Sequence, residues 1–174
     1  MEKTSYQKIY ERQAAFYKKH AWAMLALKIA NPITTVLIVA GYLAFCLIVL
    51  LPSSEPTKWD FLRVLGVPAL CFITASCARI FFDRKRPYER TAEEGGIEPI
   101  IHKTTKGHSF PSRHAACAFV IGTAALAYLP LLGVGLLIVG LMIGYIRFTS
   151  GVHFPTDLLM GALWGTAFGL LAFI

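Results

Sequence analysis

The stretch Arg147-Phe148-Thr149-Ser150-Gly151-Val152-His153-Phe154-Pro155-Thr156-Asp157 lies between two strongly apolar runs, residues 129–146 and 158–174. Two apolar runs joined by a short segment rich in ionisable groups predict a membrane-spanning hairpin with that segment at its mouth. The stretch contains a guanidinium, an imidazole and a carboxylate, which a bilayer does not tolerate unpaired. We therefore expect these three side chains to interact with one another or with a bound anion.

The spacing within the stretch favours a particular chemistry. His153 and Asp157 are four residues apart and flank Pro155, a residue common in the first turn of a helix. This spacing can place the imidazole beside the carboxylate, which fixes a histidine tautomer for nucleophilic attack. Arg147, at the end of the preceding helix, supplies positive charge for an anionic substrate. These residues together predict a phosphate site.

The composition points away from a soluble domain. The chain has 174 residues, of which 56% are hydrophobic, and its formal net charge is +7; its mean hydropathy is +0.57. The length predicts a single domain, residues 1–174. The charged residues are clustered between long apolar blocks, so anionic lipid is a better expected partner than nucleic acid. The polar first twenty residues do not predict a cleaved signal peptide.

The apolar blocks predict an all-α integral membrane helical bundle with about five transmembrane helices. Each block approaches the ~20 residues that a bilayer requires. The predicted spans are Ile33–Leu51, Trp59–Phe82, Ser112–Pro130, Leu131–Ile146 and Thr156–Ile174. Residues 1–30 alternate aromatic, aliphatic and basic residues and predict an amphipathic helix in the membrane interface. Residues 52–57 predict a turn, and Pro68 predicts a kink in the second span.

A long polar loop, residues 83–113, follows the second span. Loops of this length in compact domains are usually functional. Because successive spans alternate in direction, this loop, the start of the third span and the mouth between the last two spans lie on one side of the membrane. An odd number of spans places the N-terminal helix on that side too.

Three polar clusters are brought together on that side: residues 79–87, residues 109–114 and the opening stretch. Each alone has an ordinary structural interpretation, such as basic residues at a membrane edge or a helix start at Pro111-Ser112. Together they offer three guanidiniums suited to bidentate phosphate contacts. They also offer two helix starts whose free N–H groups point to the same place.

Two histidines, His114 and His153, then lie at the predicted anion site. One can attack phosphorus while the other gives a proton to the leaving oxygen. A metal site formed by these histidines and Asp157 is the alternative. The nearby arginines would repel a divalent cation, and the histidines lack metal-type spacing. We therefore expect no metal and no other cofactor.

The three clusters resemble the signature of the type-2 phosphatidic acid phosphatase superfamily, which also contains the vanadium haloperoxidases. The signature has three parts: a basic residue, six residues and Arg-Pro; Pro-Ser-x-His; and Arg, five residues, His, three residues and Asp. All three parts occur here in order, as Arg79…Arg86-Pro87, Pro111-Ser112-Arg113-His114 and Arg147…His153…Asp157. The resemblance covers about residues 79–157.

The resemblance implies a role for each matched residue. His153 would be the nucleophile that forms a phosphohistidine, with Asp157 orienting it. His114 would act first as general acid and then as the base that activates water. The phosphoryl oxygens would be held by Arg79, Arg86, Ser112, Arg113 (through its backbone N–H) and Arg147.

The sequence departs from the family pattern at three positions. Arg79 stands where lysine is common, Arg113 where glycine is common, and Ile146 where serine is common. The first change keeps the charge, the second alters the loop or adds a cation near the substrate, and the third removes a possible hydrogen bond to phosphate. Five further loop cations either bind a second phosphate or form a solvated surface: Lys85, His102, Lys103, Lys106 and His108.

The expected function is that of a multi-pass membrane phosphatase acting on a lipid phosphomonoester or diphosphate, its partners being that lipid and the bilayer. Undecaprenyl pyrophosphate, phosphatidylglycerol phosphate and phosphatidic acid all fit. The alternatives are vanadate-dependent oxidation and a non-catalytic lipid-phosphate binding or transport protein of the same fold. The resemblance implies a site at the extracytoplasmic face of the cell membrane, whereas the lysines and arginines favour the cytoplasmic side. The oligomeric state is left open.

Overall fold

The computed structural model describes residues 4–51, 57–104 and 106–174, and the regular structure in these ranges is helical. The predicted turn at residues 52–57 lies almost wholly outside them. The elements are α1 Ser5–Lys19, α2 Ala21–Leu50, α3 Lys58–Phe61, a π-helical segment Leu62–Gly66, α4 Val67–Phe82, a 3-10 turn Pro87–Glu89, α5 Arg113–Leu126, α6 Pro130–Thr149, α7 Pro155–Gly169 and a 3-10 turn Leu170–Phe173.

The all-α membrane bundle predicted from the sequence is confirmed. Four helical segments of the described chain are long and apolar enough to cross a membrane: residues 21–50, 58–89, 130–149 and 155–173. The predicted third span is shorter than expected. It is the 14-residue helix α5, about 21 Å long at 1.5 Å per residue.

Helix α5 lies at the centre of the bundle, with α4, α6 and α7 packed against it. Nine of its residues are buried, among them Ala116, Val120 and Ala124. The outward faces of the surrounding helices carry large apolar side chains, such as Leu131 and Leu141 on α6. Because its neighbours cover it, α5 does not need the length or the apolar circumference of a lipid-facing span.

The helix boundaries near the N-terminus differ from the prediction. The predicted interfacial helix over residues 1–30 ends at Lys19, where His20 adopts an extended conformation. Residues 21–30 instead begin α2, which continues through Pro32 to Leu50. A proline removes one backbone hydrogen bond, and membrane helices tolerate this where neighbouring elements pack against them, as α6 does here.

The irregularity in the second span precedes the proline that was expected to cause it. Residues 62–66 form a π-helical turn, and Pro68 lies in the first turn of α4. The Tyr42 hydroxyl of α2 donates a hydrogen bond to the Val64 carbonyl, at 3.0 Å. A π-helical turn leaves carbonyls poorly paired, and the tyrosine satisfies one of them.

The end of α4, the start of α5, the end of α6 and the start of α7 come together at one end of the bundle, as predicted. Helix α1 lies at the same end and holds the long loop. The Gln7 side chain donates to the Ala92 carbonyl at 2.9 Å. The buried Tyr10 hydroxyl donates to the Glu98 carbonyl and accepts from the Ile100 N–H, both at 3.0 Å. One face of α1 therefore packs on the loop that covers this end of the bundle.

Candidate active site

Direct hydrogen bonds join the three signature clusters. Arg79 lies in the last turn of α4, and its Nη1 donates to the Pro111 carbonyl at 3.0 Å. The Ser112 N–H, just before α5, donates to the Asp157 carbonyl in α7 at 2.9 Å. The structure thus brings the first cluster to the second and the second to the third.

Arg86 connects the first cluster to the third. Its Nη1 donates to the Val152 carbonyl at 3.4 Å, and its Nε donates to the Gly107 carbonyl at 3.2 Å. The Glu89 carboxylate accepts from the backbone N–H groups of both Arg86 and Gly107, each at 2.8 Å. These contacts fix the Arg86 guanidinium between the long loop and the segment that carries His153.

His153 and Asp157 form the pair that their spacing predicted. Nδ1 of His153 lies 3.5 Å from Oδ2 of Asp157, and both side chains are buried. The same oxygen accepts from the Ser109 hydroxyl at 2.5 Å and from the Phe154 N–H at 3.0 Å. The Ser109 oxygen also lies 3.3 Å from Nδ1 of His153. With Nδ1 facing the carboxylate, the Nε2 lone pair is the one available for attack.

Burial lowers the pKa of His153 below its usual range, because the charged imidazolium is poorly solvated there. The hydrogen bond to Asp157 opposes this shift, and the positive charges of Arg86 and Arg79 add to it. The imidazole is therefore neutral near neutral pH, as a nucleophilic histidine requires.

Three guanidiniums are buried around this pair. Arg79 and Arg86 are each 6% exposed and Arg147 is 8% exposed. Among the described residues Asp157 is the only carboxylate buried to this degree, and it already binds Arg84. Buried charges are stable only when compensated. The excess of buried positive charge therefore indicates a site for an anion.

The start of α5 adds uncommitted hydrogen-bond donors. Ser112 occupies the N-cap position but makes no capping hydrogen bond with its side chain. Its Oγ is buried without a hydrogen-bond partner in the described chain. The first backbone bond of this helix end runs from the Ala116 N–H to the Ser112 carbonyl. The N–H groups of the preceding helical residues thus lie in the free first turn, which is suited to a phosphate.

His114 lies in the first turn of α5, within electrostatic reach of Arg147 and His153. Both predicted histidines thus lie at the same site. His114 and Arg113 are exposed, and both line a cavity of about 340 Å³. The Arg113 guanidinium lies over the Phe72 ring, 5.6 Å from its centre. Its side chain therefore points to the cavity, and only its backbone is placed to serve the predicted phosphate site.

The cavity runs from this site along the apolar helices. Its remaining lining comes from α2, α4, α5 and α6: Thr35, Ile38, Val39, Tyr42, Leu43, Phe72, Cys117, Ile121 and Ile143. The end of the cavity at Arg113 and His114 is polar and the rest is largely apolar. This arrangement fits a ligand with an anionic head and a hydrocarbon tail.

Two residues at the site were not identified from the sequence. Arg84 donates to Oδ1 of Asp157 at 2.8 Å, and Ser109 contacts both His153 and Asp157. Arg84 lies within the variable six residues of the first signature part, and Ser109 precedes the second part. A buried carboxylate requires a nearby cation. That requirement was the one indication in the sequence that an additional arginine lies at the site.

The additional loop cations are exposed, unlike the buried His153–Asp157 pair. Five of them are exposed: Lys85, His102, Lys103, Lys106 and His108. Lys85 lies 4.0 Å from Glu94, and His108 lies 3.0 Å from Asp83. The charge of Lys103 is close enough to act on His114. Within the described ranges, no group of three His, Cys, Asp or Glu residues is arranged to hold a metal ion.

The chain matches a known protein family and two solved structures. The family model of the PAP2 superfamily matches residues 60–174. A crystal structure of Aquifex aeolicus LpxE matches with a TM-score of 0.59 and 24% identity, covering 84% of this chain and 92% of that one. The crystal structure of the first transmembrane PAP2 type phosphatidylglycerolphosphate phosphatase from Bacillus subtilis matches with a TM-score of 0.60 and 20% identity, covering 97% and 92%. No curated protein matches. At these identities the two structures show a shared fold.

Proposed function

The chain belongs to the PAP2 superfamily, and from this premise we propose that it is a membrane lipid-phosphate phosphatase that acts through a phosphohistidine intermediate. The observation that carries the proposal is the buried His153–Asp157 pair surrounded by three buried guanidiniums. A neutral nucleophile beside an uncompensated cationic pocket is suited to attack on a phosphoryl group.

The reaction has two chemical steps. Nε2 of His153 attacks phosphorus, a bond forms between nitrogen and phosphorus, and the bond from phosphorus to the leaving oxygen breaks. That oxygen belongs to the lipid alcohol in a monoester and to the lipid monophosphate in a diphosphate. His114 gives its proton to that leaving oxygen. A water then attacks the phosphohistidine, His114 takes a proton from the water, and inorganic phosphate leaves. The arginines and the first turn of α5 stabilise the negative charge of the transferring group throughout.

The proposed reaction needs no metal. The guanidiniums of Arg79, Arg86 and Arg147 supply the positive charge that a divalent cation provides in metal-dependent phosphatases. The same charges would repel a metal ion from His114 and His153. No other cofactor enters the proposed steps.

The substrate class follows from the cavity. An apolar cavity that begins at His114 and continues between α2, α4 and α5 accommodates a hydrocarbon tail while the phosphate enters the cationic end. The neighbour from Bacillus subtilis is described as a phosphatidylglycerolphosphate phosphatase. Phosphatidylglycerol phosphate, phosphatidic acid and undecaprenyl pyrophosphate all combine such a tail with a phosphate, and we propose a substrate of this class.

The direct test is phosphate release from each of these three lipids, in detergent and with a chelator present. We expect the wild type to be active and His153→Ala to lose at least ~10³-fold, because the nucleophile is absent. His114→Ala should lose roughly 10²- to 10⁴-fold. His102→Ala, which changes an exposed loop histidine, is the matched control and should keep wild-type activity.

Two outcomes would contradict the proposal. Loss of activity on addition of chelator would indicate a metal mechanism. Binding of the lipids by a wild type that releases no phosphate from any of them would favour the non-catalytic binding or transport protein.

The lipid tail can be tested separately with a paired substitution on α2. Val39→Trp would fill the cavity, whereas Leu37 lies about 160° away round the helix. We expect Val39→Trp to reduce turnover of a long-chain lipid phosphate but not of a short-chain, water-soluble one. Leu37→Trp should leave both unchanged. Equal effects of Val39→Trp on both substrates would show that the cavity does not hold the tail.

We also propose that the site faces the extracytoplasmic side of the cell membrane. The test is a cysteine introduced at Glu94, an exposed residue of the long loop, in a background where the native cysteines are replaced. Labelling by a membrane-impermeant thiol reagent in intact cells would support this orientation. Labelling only after the cells are broken would place the site on the cytoplasmic side.

A further inference from the structure

The two oxygens of the Asp157 carboxylate have different partners. Oδ2 faces His153 and accepts from Ser109, whereas Oδ1 accepts from Nη1 of Arg84 at 2.8 Å. The Asp157 side chain is fully buried and that of Arg84 is 30% exposed. Arg84 therefore reaches from the surface to the oxygen that the histidine does not use.

Arg84 is itself held by the segment that carries His153. Its Nη1 also lies 2.9 Å from the Thr156 hydroxyl oxygen, to which it donates. Its guanidinium lies over the Phe154 ring, 4.6 Å from the centre. A planar guanidinium held by a ring, a hydroxyl and a carboxylate has one orientation. That orientation, together with the hydrogen bonds that Ser109 and the Phe154 N–H donate to Oδ2, sets the rotation of the Asp157 carboxylate.

We propose that Arg84 is a positioning residue for catalysis, which holds Asp157 ionised and turned so that Oδ2 meets Nδ1 of His153. This inference rests on the proposed phosphatase function and extends it to a residue outside the matched signature positions. Arg84 acts through Asp157 rather than on the substrate, because its hydrogen bonds go to Asp157 and Thr156.

The proposed reaction requires that Asp157 be ionised and oriented towards His153. When Nε2 of His153 forms its bond to phosphorus, the ring becomes positively charged and Nδ1 retains its proton. An ionised Asp157 stabilises that charge by accepting the Nδ1 hydrogen bond. A carboxylate that is buried without a cation would tend to take up a proton and would then accept this hydrogen bond less well. Arg84 provides the positive charge in direct contact with Asp157. Besides His153, the other ionisable groups that interact with this carboxylate are Arg79 of α4 and Tyr6 of α1.

The chain offers a matched control at Arg90. Its guanidinium lies over the same Phe154 ring, 4.8 Å from the centre, and its Nη1 reaches the Glu94 carbonyl at 3.5 Å. Arg90→Gln thus removes a stacked arginine from the same ring without removing a partner of Asp157.

The experiment measures the pH dependence of lipid-phosphate hydrolysis for wild type, Arg84→Gln, Arg84→Lys and Arg90→Gln. We expect Arg84→Gln to lower kcat by roughly 10- to 100-fold and to move the acidic limb of the rate profile to higher pH, by about one unit. Inhibition by inorganic phosphate should stay within about twofold of wild type, because the phosphate-binding arginines are untouched. Arg90→Gln should keep the wild-type profile.

Arg84→Lys keeps the positive charge but loses the planar contacts. We expect it to keep the acidic limb close to that of wild type while kcat falls several-fold. This variant also decides the question if Arg84→Gln does not fold, which its thermal unfolding in detergent would show.

Several outcomes would overturn the proposal. An unmoved acidic limb in a folded Arg84→Gln, or an equal shift in Arg90→Gln, would reduce Arg84 to a packing role. An Arg84→Lys that matches wild type in kcat would show that the planar contacts of Arg84 do not orient Asp157, which overturns its positioning role. Inhibition by phosphate weakened tenfold or more would make Arg84 a phosphate ligand instead. A wild type without phosphatase activity would refute the proposed function itself, and the role of Arg84 with it.

Discussion

His153 is a neutral imidazole beside the Asp157 carboxylate, in a site that contains three buried guanidiniums. Its side chain is 3% exposed, and burial lowers its pKa in the folded protein. An unfolded chain would bind a proton at this residue near the ordinary histidine pKa, about 6.5. The unfolded state therefore takes up more protons than the folded one as the pH falls below that value, and the stability of the folded state decreases there.

The lowered pKa of His153 predicts that acid destabilises the folded protein in part through this one side chain. Between about pH 7.5 and about pH 5.5, the thermal unfolding temperature in detergent should fall for the wild type and fall less for His153→Gln. His102→Gln, at an exposed position, should show the wild-type decrease. If His153→Gln and wild type lose the same amount, the imidazole is not held neutral by burial.

At the scale of single residues, the sequence identified most of the ionisable groups at the site but not all of the contacts between them. The four-residue spacing of His153 and Asp157 predicted that they meet; they do so with His153 two residues before the start of α7 rather than on the face of that helix. Arg84 and Ser109 reach the same carboxylate from the two ends of the long loop. No local spacing relates either of them to α7, so only the folded chain reveals these contacts.

Helix α7 approaches α5 closely along a row of three glycines, Gly161, Gly165 and Gly169. A Cβ atom at Gly165 would lie 2.3 Å from the Ala116 carbonyl oxygen, and one at Gly161 would lie 2.5 Å from that of Ser112. Both contacts are with α5 or its N-cap in the same chain. The glycines let α7 approach closely enough to keep Asp157 beside Ser112.

Gly165→Ala should therefore destabilise the protein by about 1–3 kcal/mol, the usual cost of overpacking against backbone. Gly135 in α6 provides the matched control, because a Cβ atom there has no neighbour within 4 Å. Gly135→Ala should be neutral or stabilising by up to about 1 kcal/mol, since alanine is the better helix former. Denaturant unfolding in detergent measures both changes. Equal stability of the two variants would show that α5 and α7 are not packed this closely.

At the scale of elements, hydropathy located the spans but not their boundaries. It placed a break at Asn31-Pro32, where α2 continues, and a full span where α5 has 14 residues. In both cases packing against neighbouring helices determines where the helix begins or how long it is. Helix α6 supports α2 along its length, and the helices around α5 shield it from lipid.

At the scale of the whole molecule, the fold places residues that are far apart in sequence at one end of the helical bundle. The direction of each span predicted that convergence, and the hydrogen bonds from Arg79 to Pro111 and from Ser112 to Asp157 confirm it. The long loop covers the site, and α1 packs on that loop. The cavity was not predicted, because its walls come from four helices whose relative rotation hydropathy does not determine.

The central claim is that His153 attacks the phosphate of a lipid. The most direct measurement is mass spectrometry of the wild-type enzyme after rapid alkaline quench, during the first turnover of a lipid phosphate. We predict a phosphoryl group on His153 that appears before phosphate is released and disappears as turnover ends. A phosphoryl group on a different residue, or phosphate release in the first turnover without any on His153, would contradict the account.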